Sequence, residues 1–360
     1  MDKHIVVGLS GGVDSAVTAW LLKDQGYKVT GLFMKNWEDE DDDEFCTSKQ
    51  DLIDAVSVSE KIGIDIEVVN FAKEYKEKVF SLFISGLEGG VTPNPDILCN
   101  SEIKFEAFLN HAIKMGASKI ATGHYANIFE RNGLYFLSKG FDGTKDQSYF
   151  LYTLSDVQVG RTLFPVGNIE KPAVRAIAEK ADLVTHNKKD STGICFIGER
   201  PFSEFLTTFL PKEKGDIIDQ NGVFIKHHDG LPFYTIGQRK GLEIGGGFSN
   251  SPEPWFVADK ILDSNKIVAV QGDHPLLYHN SLIADDIHWV DSAPKSSFSC
   301  SAKIRYRQAS QRCEVILNAD QTIKVNFIDS QRAITPGQSV VFYDGDICLG
   351  GSVIKSKSNE

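Results

Sequence analysis

No stretch of the 360-residue chain approaches the ~20 consecutive apolar residues that a membrane helix needs. Its start, Asp2 and Lys3 before a short apolar run that Gly8 breaks, lacks the apolar centre of a secretory signal. Cysteine is scarce, with six residues in all, too few for a disulfide scaffold. None stands in a C-x-x-C pair, which removes a zinc ribbon and a thioredoxin-like site and weighs against an iron–sulfur enzyme. Internal repeats are absent, and one acid run is the sole low-complexity tract. A content of 41% hydrophobic and 24% charged residues excludes disordered and collagen-like chains. The expectation is a cytoplasmic globular protein with reduced thiols and no membrane partner.

Positive charge is also short, leaving a net charge of −11. Seven consecutive acids, Glu38 to Glu44, read as a solvated loop. The segment 295–360 reverses the sign, with nine Lys and Arg against six Asp and Glu. A nucleic-acid partner would therefore meet a local basic patch rather than a basic protein.

What is there alternates by period. His4–Leu9 is an apolar run that Ser10-Gly11-Gly12 punctuates. Apolar residues at 13, 16, 17, 20 and 21 then give helical spacing up to Gln25. Gly26 stops that helix and Lys28–Lys35 reads as the next strand. A helix from Thr47 to Ile62, a strand over Ile64–Val69, helices around 74–87 and 101–115, and a strand at Lys119–Thr122 follow. Strands and helices alternating in this way predict a parallel sheet covered on both faces. Asn132-Gly133 between two apolar runs is a hairpin signal. Helical pattern returns at 171–181 and 202–210. Beyond Pro211, short strands predict two small all-β modules joined near 272–282.

Gly8-Leu9-Ser10-Gly11-Gly12-Val13-Asp14-Ser15 joins the first strand to the first helix, the anion-binding position of an α/β sheet. No Lys-Ser/Thr ends it, so it is not a Walker loop. Read as G-x-S-x-G it would make Ser10 a hydrolase nucleophile, but such elbows follow several strands, and here one precedes it. The string resembles the signature of the pyrophosphatase-loop (PP-loop) ATPases. Gly11 and Gly12 let backbone N–H groups close on an anion at a helix N-terminus. Ser10 and Ser15 add hydroxyl donors, and Asp14 makes sense beside a phosphate when Mg²⁺ lies between. The resemblance implies ATP cleavage between the α and β phosphates and adenylation of a substrate oxygen.

Thr92-Pro93-Asn94-Pro95-Asp96-Ile97-Leu98-Cys99-Asn100 reads as an extended segment entering a helix, with Cys99 at the entrance, where a thiol's pKa falls. Cys195 lies in an apolar run flanked by Gly193 and Gly198. By residue type alone a cysteine is equally a small buried hydrophobe, the reading taken for Cys46, Cys300, Cys313 and Cys348. The strings Gly8–Ser15, Thr92–Asn100, Gly123-His124-Tyr125, Lys145–Phe150, Asp190–Gly198, Gly237–Gly241, Lys303–Arg307 and Pro336-Gly337-Gln338 together resemble the tRNA-specific 2-thiouridylases, bacterial PP-loop enzymes that thiolate the wobble uridine.

That resemblance implies an α/β fold: a doubly wound parallel-sheet PP-loop ATPase domain over 1–205, a small central β-rich domain over 206–275, and a C-terminal β-barrel domain over 276–360. It implies an ATP site from Gly8, Leu9, Ser10, Gly11, Gly12, Val13, Asp14, Ser15, Met34 and Gly123. Asn94, Pro95 and Asp96 would hold the target base. Cys99, Cys195 and Asp96 would be catalytic, with Cys195 carrying a persulfide. Lys145, Asp146, Gln147, Arg305 and Tyr306, with His124 and Gln338, would contact tRNA. No residue is assigned as a metal ligand. ATP with Mg²⁺ is the implied cofactor, and a sulfur-relay protein or cysteine desulfurase the implied sulfur donor. The chemistry is coherent, because adenylation turns a uridine C2 oxygen into a leaving group for a persulfide sulfur. Three other functions remain open on residues alone: an ATP-dependent ligase of the same superfamily, a non-catalytic adenine-nucleotide sensor, and an iron–sulfur thiolase. Without the resemblance, His124 is an ordinary histidine, and Arg305 and Arg307 are the outer face of a strand.

Overall fold

The structure is a computed structural model that describes residues 3–38, 47–190, 202–245, 252–294 and 296–359. Most of the acid run and all of the Cys195 segment lie outside the described residues.

Five strands form the first sheet in the order Asp65–Asn70, Lys28–Lys35, His4–Gly8, Lys119–Ala121, Thr162–Leu163, every pair parallel. The strand at its centre is apolar throughout because helices cover both faces. Period-2 alternation splits its side chains. Ile5 and Val7 pack with Val17, Leu22, Val58 and Val174, from the helices Val13–Asp24, Thr47–Ile62 and Lys171–Lys180. Val6 faces the other way, onto Phe83, Ile103, Phe105 and Phe108.

The second of the helices expected on that other face starts earlier than its pattern suggested. Asn94 caps it, its Oδ1 accepting from the N–H groups of Asp96 and Ile97, and Pro95 is its first residue. The chain runs as α-helix over Pro95–Leu98, in a wider π-helical register over Cys99–Ala107, and as α-helix again over Phe108–Lys114. Cys99 is therefore a full turn inside the helix, and the expected placement at its entrance is corrected.

Asn132 and Gly133 turn the predicted hairpin with φ of 56° and 80°, the left-handed pair that such turns require. Its strands, Ala126–Arg131 and Leu134–Lys139, leave the first sheet and attach to the C-terminal one, through Ser138 opposite Ile347. A four-stranded sheet follows, in the order Trp255–Ile261, Lys266–Gln271, Gly215–Ile218, Phe224–His228. The remaining strands, Tyr278–Trp289, Ile323–Arg332, Gln311–Leu317, Ser297–Lys303, Ser339–Asp344 and Ile347–Ser358, pair in that order. The last returns to the first, closing a six-stranded barrel that leaves no free edge. The α/β sheet followed by two β-rich units is the expected fold class. Among the described residues no helix is long and apolar enough to cross a membrane.

Candidate active site

The glycine-rich loop is held by the residues around it. Leu9 and Val13 are buried anchors, and the Leu9 N–H donates to the Leu32 carbonyl at 2.9 Å. Ser15 Oγ donates to the Gly12 carbonyl at 3.0 Å and accepts from the Ser10 N–H at 3.2 Å. Gly11 has φ +72°, and a Cβ there would meet the Asp51 carbonyl oxygen at 2.3 Å. A Cβ on Gly123 would strike the Asp14 carbonyl carbon at 2.7 Å and the Ser15 nitrogen at 2.8 Å. One on Gly8 would touch the Met34 methyl at 3.4 Å. These residues thus meet at the end of the central strands, with bare backbone turned toward the helix N-terminus.

Charged groups from distant parts of the chain surround the loop. Lys171, 7% exposed, places its ammonium 2.8 and 2.7 Å from the two Asp14 carboxylate oxygens and 2.8 Å from Asp190. The Tyr125 hydroxyl donates to Asp14 at 2.7 Å, and burial, reinforced by that carboxylate, raises the Tyr125 pKa. Asp190 also receives Lys145 at 2.7 Å and Arg175 at 2.7 Å. Burial would push Asp190 up, but hydrogen bonds from Lys145 and Lys171 bring it down to about 2. Lys188 donates to the Gly11 carbonyl at 3.0 Å and pairs with Asp51 and Asp54. Four cations therefore stand around the glycine-rich turn.

A cleft of about 570 Å³ lies where the three units meet. Asn94, Asp96 and Phe150 come from the first, Thr235 to Gln238 from the second, and Arg305 to Arg307, Thr335 and Gln338 from the barrel. Burial raises the Asp96 pKa, against an opposing pull from Lys104. The Phe150 and Tyr306 rings sit 4.5 Å apart, tilted by 44° to each other, and together form an aromatic wall. Arg305 Nη2 donates to the Ile236 carbonyl at 3.1 Å and the Ala333 carbonyl at 2.9 Å. Gln338 Nε2 donates to the Thr92 carbonyl at 2.7 Å, and the Thr92 N–H to the Pro336 carbonyl at 2.9 Å. The barrel thus grips the strap that leads into Asn94.

The other predicted residues fall in two places. Lys145 bridges loop and cleft, because its carbonyl accepts the Tyr306 hydroxyl at 3.2 Å. Gln147 accepts from the Tyr125 N–H at 2.9 Å. Asp146, 3% exposed, pairs with Lys303 at 2.9 Å and accepts from the Gly140 and Ser148 N–H groups. His124, 8% exposed, lies between the Phe105 and Phe164 rings. Its Nδ1 is 2.7 Å from Thr122 Oγ1, and burial, with Lys104 adding to it, lowers its pKa well below the usual value. Asp146 and His124 are thus both buried and hydrogen-bonded inside the protein. Cys99 is 1% exposed within the core, and Cys195 lies outside the described residues.

The sequence matches three families in succession: a tRNA methyl transferase HUP domain over residues 3–199, a tRNA methyl transferase PRC-barrel domain over 203–271, and an aminomethyltransferase beta-barrel domain over 279–354. A tRNA-specific 2-thiouridylase of Vesicomyosocius okutanii is 57% identical over 354 residues, 98% of each chain. One from Methylobacillus flagellatus is 56% identical over 358 residues, 99% of each chain. Among solved structures, an NMN synthetase from Francisella tularensis aligns with 56% of this chain and 71% of its own at 18% identity, with a TM-score of 0.35.

Proposed function

The chain belongs to the tRNA-specific 2-thiouridylase family, and from that premise we propose that it replaces the C2 oxygen of the wobble uridine of tRNA by sulfur at the expense of ATP. The observation that carries this reading is the cleft: Asn94, Asp96, Arg305, Tyr306 and Gln338, scattered over the sequence, all line it.

ATP binds with its pyrophosphate against Ser10, Gly11 and Gly12, where N–H groups and the helix N-terminus favour negative charge. Lys171 and Lys188 stand ready to balance the phosphates. No three His, Cys, Asp or Glu side chains cluster as metal ligands among the described residues. The donor set therefore suits Mg²⁺ held mainly by phosphate, with Asp14 as its single carboxylate. Mg²⁺ would offset charge on the departing pyrophosphate. An anticodon nucleotide turned out of its loop stacks on the Phe150–Tyr306 wall, the way single-stranded bases are read. Asn94 and Asp96 face its polar edge, and the raised Asp96 carboxyl is suited to proton transfer there. The C2 oxygen attacks the α-phosphate, releasing pyrophosphate. The outer sulfur of a persulfide on Cys195, supplied by a relay protein or desulfurase, bonds to C2 as AMP leaves. Cys99 sulfur then attacks Cys195 sulfur, the S–S bond to the transferred sulfur breaks, and a Cys99–Cys195 disulfide forms that a thiol reductant reopens.

Mass spectrometry of tRNA incubated with protein, ATP, Mg²⁺ and a persulfide donor tests the reading. One oxygen exchanged for sulfur at the wobble uridine is expected. ATP binding without any change in tRNA mass would reduce the protein to a nucleotide sensor.

A further inference from the structure

The barrel holds a thiol pair that the proposed reaction does not use. Cys300 on the strand Ser297–Lys303 lies directly opposite Cys313 on Gln311–Leu317. Their Sγ atoms are 3.6 Å apart, and both pack in the barrel core with Ala302 and Val315. Opposed residues on antiparallel strands have Cα atoms about 4.5–5.5 Å apart, inside the span of about 4.4–6.8 Å that a disulfide bridges. Cys313 is buried and Cys300 half-buried, so Cys300 is the one an oxidant reaches. The hydrogen bond to Cys300, with burial adding to it, raises the Cys313 pKa. Cys313 is therefore the thiol that holds its proton, leaving Cys300 as the more exposed partner.

These strands are the arms of the hairpin whose connecting segment, 304–310, brings Arg305 and Tyr306 to the cleft. Arg305 is tied there to the Ile236 carbonyl, and Tyr306 to that of Lys145. What happens to the arms is felt where the three units join.

We propose that Cys300 and Cys313 are an oxidation site, closed to a disulfide by peroxide, that fixes the cleft-forming hairpin. Cys300 sulfur attacks one oxygen of hydrogen peroxide; the O–O bond breaks, the other oxygen leaves as water, and Cys300 becomes a sulfenic acid. Cys313 sulfur attacks Cys300 sulfur, the S–O bond breaks, and the hydroxyl leaves with the Cys313 proton as a second water. Two thiols are oxidised by two electrons and one peroxide is reduced. A thiol reductant reverses the step by disulfide exchange.

The test treats the full-length protein with hydrogen peroxide and digests it with trypsin, which cuts between the two cysteines at Lys303 and Arg312. The expected product is one disulfide-linked pair of peptides, 296–303 joined to 313–324, that dithiothreitol separates. Amide exchange over 304–310 should slow at least about tenfold on oxidation, within what closing a loop of about a dozen residues supplies. Cys300→Ser should show neither change. Cys300 oxidised to sulfinic acid with no linked pair would overturn the site. A linked pair with unaltered exchange over 304–310 would overturn its hold on the hairpin.

Discussion

The Tyr306 hydroxyl donates to the Lys145 carbonyl at 3.2 Å, while the Lys145 ammonium sits 2.7 Å from Asp190. One lysine thus touches the barrel through its backbone and the charge cluster of the glycine-rich loop through its side chain. Tyr306 lines the cleft and Asp190 shares Lys171 with Asp14. The aromatic wall proposed for the base and the carboxylate proposed for Mg²⁺ are therefore linked by a short run of direct contacts. That linkage is a physical route by which tRNA seated as proposed would influence the proposed ATP site.

The Asp14–Lys171–Asp190 cluster makes the first prediction. Asp14→Ala or Ser15→Ala should nearly abolish tRNA-dependent pyrophosphate release, because groups proposed to hold Mg²⁺ and pyrophosphate are removed. Lys171→Met removes the cation that Asp14 and Asp190 share, leaving Asp14 with the Tyr125 hydroxyl and Asp190 with Lys145 and Arg175. Breaking a fully buried pair costs about 3–5 kcal/mol. The Asp14 and Asp190 side chains are 30% and 32% exposed, so a loss of about 2 kcal/mol is expected. Urea denaturation measures it, and unchanged stability would mean that Tyr125, Lys145 and Arg175, with water, already compensate the two acids.

Asp190 supplies a pH dependence. Its native pKa of about 2 lies below the ordinary aspartate value near 3.9. A depressed carboxylate stabilises the fold fully above its unfolded pKa, and the contribution fades as pH falls from about 4 toward about 2. Asp190→Asn should therefore be less stable than the parent near neutrality, with the gap closing below about pH 4. A gap that stays constant down to about pH 2.5 would show that the pairing with Lys145, Lys171 and Arg175 adds nothing.

The strap entering Asn94 can be displaced without touching the ATP loop. Gly337 has φ +88°, and a Cβ there would meet the Thr92 nitrogen at 2.8 Å. Gly337→Ala strains its own backbone and pushes residues 92–94 off the barrel. ATP affinity should hold, while thiolation of tRNA falls at least about tenfold, one interaction's worth. Equal losses in both would mean general misfolding, which circular dichroism would register.

How much of this was legible depended on whether the signal was contiguous. Gly8 to Ser15 form one string, and their turn is where the sequence placed it. The hairpin at Asn132-Gly133 was equally local, but its attachment to the barrel rests on Ser138 meeting Ile347, a pairing no window reveals. Lys171, Lys188 and Asp190 lie more than 150 residues from the loop they surround; Asp190 opens the string Asp190–Gly198, but Lys171 and Lys188 belong to no short motif, and basic residues at 171, 175 and 188 were the available hint. The helix start before Cys99 was readable and misread. Asn94 followed by Pro95 is a cap and first-turn proline, not an extended strap. The cleft was invisible as a shape, because its walls come from residues near 94, 150, 236, 305 and 338.

Arg305 has two duties that a salt titration separates. Its Nη2 ties Ile236 and Ala333 together, and the proposal adds a phosphate contact. Arg305→Ala should weaken tRNA binding and flatten the salt dependence of log K by about one counterion. If affinity falls while the slope is unchanged, Arg305 acts only through the two carbonyls it joins.

The two cysteines are expected to fail differently. Cys195→Ser removes the proposed sulfur carrier but leaves the loop, Asp14 and Lys171 intact, so tRNA-dependent pyrophosphate release should continue while thiolation stops. Cys99→Ser should also stop thiolation, yet a persulfide donor should still load one sulfur onto the peptide holding Cys195. Cys99 is 1% exposed, and a resolving thiol has to reach the sulfur it releases. The helix around it is in π register over Cys99–Ala107, a local irregularity that often marks a working site and that can rewind to turn a side chain outward. Iodoacetamide should therefore label Cys99 slowly in the free protein and several-fold faster once tRNA and a non-hydrolysable ATP analogue are bound, because ordering of the substrate shifts the population toward the open helix. A rate that does not rise on binding would keep Cys99 in the core as a packing residue. Loading of sulfur onto Cys46 or Cys348 in place of Cys195 would move the sulfur-carrying site elsewhere in the chain.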